Sequence, residues 1–79
     1  MSMLKRGSPK PLYQQMVEIL REKIKEHEWQ PNEGMPAENE LSKSFGVGRV
    51  TTRAVLGQLV NEGLLYRVQG LGTFVSEPK

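Results

Sequence analysis

The sequence predicts a mainly α, α+β domain in which three helices follow one another and a β-hairpin closes the chain. Three observations carry that expectation. Apolar residues recur with helical period over two long stretches and one short stretch between them. Proline and glycine punctuate the joints at Pro31, Gly34, Gly46 and Gly63. After Gly63, two short segments rich in branched and aromatic residues flank Gly70-Leu71-Gly72, the pattern of a glycine-tipped hairpin.

The first helix is expected over Pro11–Glu28, where Leu12, Tyr13, Met16, Val17, Ile19, Leu20 and Ile24 share one broad face and the glutamates lie mostly opposite. Ser8-Pro9-Lys10-Pro11 supplies its start, and Trp29-Gln30-Pro31-Asn32-Glu33-Gly34 its end. Trp29 is read as a cap on the core. A second, short helix is expected over Met35–Phe45, with proline near its start and acids in its first turn, where they suit the helix dipole. The third runs from Val47 to Asn61, because Thr52, Val55, Leu56, Leu59 and Val60 form the stripe that must turn inward. Leu64–Gln69 and Thr73–Ser76 are the hairpin strands, with a minor strand near Gly34-Met35.

Seventy-nine residues hold one domain, since so short a chain cannot divide its apolar content between two cores. The expected boundaries are a leading tail at 1–8, the domain proper at 9–76, and residues 77–79 as the C-terminal end or the start of a linker to a further domain. No apolar run approaches the roughly 20 residues a membrane helix needs, and the basic N-terminus has no apolar stretch behind it, so no secretory signal is read. The expectation is a cytoplasmic protein. Zero cysteines exclude disulfides and thiolate sites, the single His27 cannot alone assemble a metal centre, and all nine acids are glutamates. With no nucleophile, base and orienter to set together, no enzyme is expected, and neither cofactor nor metal.

Net charge is +2 but unevenly placed. Lys5 and Arg6 charge the tail, Pro9–Glu40 holds four bases against seven glutamates, and Lys43–Thr73 holds Lys43, Arg49, Arg53 and Arg67 against Glu62 alone. The second half should therefore face any polyanion. Two short helices joined by Phe45-Gly46-Val47-Gly48 have helix-turn-helix form, in which the second helix is offered outward. With Arg49 at 0° and about 100° per residue, the apolar stripe of helix three spans roughly 240° to 20°, and Arg53, Gly57, Val50 and Ala54 occupy roughly 40° to 140°. Two arginines thus border a face of small side chains. A helix entering the major groove needs such a face, with little bulk and with guanidinium forks near its N-terminus. An ordinary solvated face more often carries long charged side chains throughout.

Val50 offers either a methyl contact to thymine or a plain solvent-facing valine, and Lys43 either a phosphate contact or a solvated charge. The Gly70-Leu71-Gly72 tip is either a simple tight turn or a place where the backbone lies close to a minor groove; a P-loop is excluded because no helix and no lysine follow. Together these features read as a winged helix-turn-helix. The rival from another class is a winged-helix protein-interaction module, whose signature would be an exposed apolar or acidic patch on helix three.

Pro11-Leu12-Tyr13-Gln14-Gln15, Met35-Pro36-Ala37-Glu38-Asn39-Glu40-Leu41, Phe45 to Arg53, and Glu62 to Val75 closely resemble the winged-helix domain of the GntR family, especially its HutC-like branch. The resemblance covers roughly Lys10 to Ser76. It implies the reading domain of a bacterial transcription regulator, most often a repressor, that binds a palindromic double-stranded operator as a homodimer through a C-terminal effector-binding domain outside these residues. Residue by residue, it places Arg49 and Arg53 as recognition-helix arginines, Thr51 as a hydroxyl that can meet phosphate, Tyr13 on the phosphate side of the first helix, and Gly70 as the wing residue entering the minor groove. Gln69 and Thr73 flank that tip within the same motif and complete the expected DNA-binding set. Four positions depart from the usual family pattern. Asn39 stands where many members carry arginine, although asparagine is common in the HutC-like branch. Gly48 replaces a capping serine or threonine, Leu71 a wing cation, and Thr52 an inward valine whose hydroxyl now needs a partner.

Overall fold

The computed structural model describes Leu4 and residues 7–77. Lys5 and Arg6, the two cations expected to charge the tail, lie outside the described residues, as do 78 and 79. The elements are α1 (Leu12–Lys25), α2 (Glu38–Phe45), α3 (Arg49–Asn61), β1 (Leu65–Val68) and β2 (Gly72–Val75). Three helices followed by a two-stranded antiparallel hairpin make a winged helix-turn-helix, as the sequence predicts.

Each helix buries the face its periodicity marks. Met16, Val17, Leu20 and Ile24 of α1, Leu41 and Phe45 of α2, and Val55, Leu56 and Leu59 of α3 form one core with Leu65 and Val75 of the hairpin. Leu4, ahead of the boundary expected at residue 9, is buried in the same cluster, and Trp29 packs half-buried against it. Arg21 on α1 grips Glu62 at the end of α3 through two hydrogen bonds, Nε to Oε1 at 2.8 Å and Nη2 to Oε2 at 2.6 Å. Those bonds hold the Glu62 carboxyl below the ordinary carboxylate value.

The element ends differ from the expected ones for local reasons. Helix α1 stops at Lys25, not Glu28, because His27 takes a left-handed conformation at φ 61. The Glu28 amide then donates to Lys23 O and the His27 amide to Ile24 O, the pairing of a Schellman cap. Helix α2 starts at Glu38, not Met35. Pro36 disfavours helical geometry at the residue before it, and the Met35 amide donates to Thr73 O across to the hairpin. Helix α3 starts at Arg49, not Val47, with Gly48 extended at its N-cap. The minor strand expected near Gly34-Met35 is an isolated bridge, Gly34 to Phe74, supported by the Val75 amide donating to Glu33 O.

Gly46 makes the turn between α2 and α3. Its φ of 67 lies in the left-handed region that costs a side-chain-bearing residue strain, and the Val47 amide donates back to Ser42 O at 3.0 Å. Behind this turn, Thr52 meets its need for a partner. Its hydroxyl shares a 2.8 Å hydrogen bond with that of Ser42 and donates at 3.3 Å to Gly48 O, with Thr52 fully buried.

That buried pair yields a stability prediction. Thr52→Val strands the Ser42 hydroxyl in the core and should cost about 1 to 3 kcal/mol, whereas replacing both partners with apolar groups should be close to neutral. Urea titrations of Thr52→Val, Ser42→Ala and the double variant check this: the double variant should be more stable than Thr52→Val alone, and additive losses would contradict the account.

Candidate nucleic-acid interface

The same contacts that bury one face of α3 determine what its other face presents. Thr52, Val55, Leu56 and Leu59 point inward, while Arg49, Val50, Arg53 and Ala54 are exposed and Thr51 and Gly57 half-buried. Val50 is 81% exposed, the one large apolar side chain exposed on α3, with the small Ala54 one turn further on. Gly48, at the head of the helix, has open space where a Cβ would stand. The segregation expected from the helical angles is therefore present.

The hairpin projects beside this helix. Its register pairs Leu65 with Val75 and Val68 with Gly72, leaving Gln69, Gly70 and Leu71 as the tip, closed by the Leu71 amide donating to Val68 O. Gly70 at φ 83 and Gly72 at φ 128 occupy backbone geometry that suits glycine. Leu71 is 75% exposed. The hairpin is stiffened at its base, where the Tyr66 and Phe74 rings stack at 5.7 Å and the Tyr66 hydroxyl donates to Asn32 Oδ1.

Between the start of α2, the head of α3 and the wing lies a cleft of about 370 Å³. It gathers four of the sequence-predicted residues, Asn39, Arg49, Leu71 and Thr73, from three separate elements. Val50, Arg53 and Thr51 stand on α3 outside this lining, Gln69 and Gly70 at the tip, and Tyr13 apart from it on α1, where it is partly exposed.

Two residues join the surface that the sequence reading did not single out. Glu38 Oε1 lies 3.4 Å from Arg53 Nη2. Arg67, on β1, donates from Nη2 to the Arg53 carbonyl at 3.4 Å, and its guanidinium rests 3.8 Å from where a Cβ of Gly57 would be. The bare position at Gly57, one turn beyond Arg53, was the available signal for a long neighbour. Arg49, by contrast, makes no ion pair among the described residues.

A helix-turn-helix with an outward helix of small and guanidinium side chains, flanked by a glycine-tipped hairpin, defines the winged helix-turn-helix class of DNA-binding domain. Comparison with known proteins places it further. Residues 12–75 match the family model for bacterial regulatory proteins of the gntR family, and the chain belongs to that family. It is 50% identical over 76 residues to the HTH-type transcriptional repressor NagR of Bacillus subtilis (strain 168), covering 96% of this chain and 31% of NagR. It is 45% identical over 74 residues to the histidine utilization repressor of Klebsiella aerogenes, covering 94% of this chain and 31% of that one. Among solved structures, the AraR DNA-binding domain in complex with operator ORX1 superposes with a TM-score of 0.86 at 40% identity, covering 95% of this chain and 96% of that one. The chain spans about a third of the length of these curated relatives. The family is one of regulators, not enzymes. No helix among the described residues is long and apolar enough to cross a membrane.

The wing tip generates a prediction. Leu71→Arg adds a cation at an exposed position and should tighten binding to duplexes of any sequence, steepening the log–log salt dependence by up to about one unit. Titrations across a salt series check this, and an unchanged slope and affinity would show that the tip stays clear of DNA.

Proposed function

We propose that this domain reads a palindromic operator, one copy per half-site, as the DNA-binding part of a bacterial repressor that acts in the cytoplasm and dimerises through residues beyond this chain. The observation that carries the reading is the exposed face of α3, where Arg49, Val50 and Arg53 project from a helix whose other side is fixed in the core. The names of the relatives, repressors in both cases, and the operator complex of the AraR domain support it.

In this reading α3 enters the major groove. Arg49, near its N-terminus and without an ion pair among the described residues, presents two parallel N–H donors to guanine O6 and N7. Gly48 leaves the helix head bare for close approach, and Val50 meets a thymine methyl. Thr51, Tyr13 and Asn39 hold phosphates and set the register, while Gln69, Gly70, Leu71 and Thr73 bring the wing to the adjoining minor groove. A protein-interaction module would need an apolar or acidic patch on α3. Val50, with only the small Ala54 beside it and two arginines on the same face, does not make one.

Selection of bound sequences from randomised duplex DNA tests the reading. The expected product is one enriched half-site, recurring as an inverted pair, and no enrichment would overturn it. Arg49→Ala should then cost about 1 to 3 kcal/mol on the selected duplex and relax preference at one position per half-site. Equal losses on selected and scrambled duplexes would reassign Arg49 to the phosphate backbone.

A further inference from the structure

The DNA-facing cleft contains an acid. Glu38 lines it together with Asn39 and Arg49, at the first position of α2. Phosphates repel a carboxylate, so an acid here weakens binding to every duplex unless it does something for a particular one. What it touches is Arg53, at 3.4 Å. The separation exceeds the roughly 2.7–2.9 Å of a tight charge-assisted hydrogen bond, and both side chains reach solvent, at 59% and 32% exposure. The contact is thus a loose tether that can be exchanged. Behind it, Arg67 donates to the Arg53 main-chain carbonyl. Arg49, four residues earlier on the same face, has no such tether among the described residues.

We propose that Glu38 is a specificity-determining residue of this surface, acting through Arg53. The inference rests on the DNA-reading function given above. A guanidinium has five N–H donors. With one directed to Glu38, Arg53 still offers a parallel pair to a guanine edge, so on the preferred sequence it bridges base and carboxylate and is held in the reading orientation. On a non-cognate duplex no base at this position offers guanine's paired acceptors, and the strongest acceptors in reach are phosphates. Arg53 must then leave Glu38 to neutralise one, and the freed carboxylate is left facing the backbone. Glu38 therefore weakens non-cognate binding more than cognate binding, which is discrimination by repulsion of the wrong partner.

The test is Glu38→Gln, which keeps the side-chain size and removes the charge, measured on the selected and the scrambled duplex across a salt series with thermal melts alongside. The scrambled duplex should bind more tightly, with a salt slope steeper by up to about one unit. The ratio of selected to scrambled affinity should fall at least about fivefold, the lower end of what one bidentate base contact contributes. Glu40→Gln, in the same turn of α2 but outside the Arg53 pair, should leave the ratio in place. In an Arg53→Ala background, Glu38→Gln should no longer change it. An unchanged ratio, an equal change with Glu40→Gln, a change that persists without Arg53, or equal weakening on both duplexes with a lowered melting temperature would each overturn the role of Glu38. Wild-type protein that fails to discriminate the two duplexes would instead overturn the DNA-reading function on which the proposal stands.

Discussion

The orientation of α3 depends on the reversal at Gly46. With φ at 67 the chain turns back on itself, the Val47 amide returns to Ser42 O, and Ser42 meets Thr52 one turn into the next helix. Once that hydroxyl pair is formed in the core, Val55, Leu56 and Leu59 follow Thr52 inward by helical period, and Arg49, Val50 and Arg53 are turned away from the core. The exposed face is what remains of α3 after the core has taken its share. Its composition, small and cationic, then decides what that remainder can bind.

The wing is placed by a second set of contacts. Residues 32 to 35 run beside β2 through the Asn32, Met35 and Val75 amides, and the Gly34–Phe74 bridge fixes the level at which they meet. This strip ties the segment leading into α2 to the hairpin, so the head of α3 and the wing tip are positioned from one support. The cleft between them is a consequence of that arrangement. Charge around it is not uniform: Arg49, in the lining, makes no ion pair among the described residues, while Arg53, outside the lining, leans on Glu38, so two arginines of one helix face differ in their surroundings.

Much of this was legible in the sequence because it depends on local period and punctuation. The inward stripe of α3, the α2–α3 turn, the hairpin and its tip, and the need of Thr52 for a partner all follow from residues within a few positions of one another. What was not legible depends on contacts distant along the chain or on a choice between near-equal local states. His27 ends α1 early by taking a left-handed conformation that its residue type does not announce. Met35 leaves α2 because Thr73, far along the chain, accepts its amide. Leu4 reads as part of the leading tail at 1–8, yet its side chain is buried by the core. Glu38 reads as a helix-start acid suited to the dipole, and only the fold sets Arg53 beside it.

The central claim is that the exposed side of α3 and the wing tip together form the DNA-contacting face. Backbone amide NMR, with the assigned domain titrated with a short duplex carrying the selected half-site, tests it most directly. Shifts concentrated at residues 37–39, 48–54 and 69–72 are the result this account predicts. Shifts concentrated instead around Ile24, Trp29 and Leu64, which line a separate apolar groove, would contradict it.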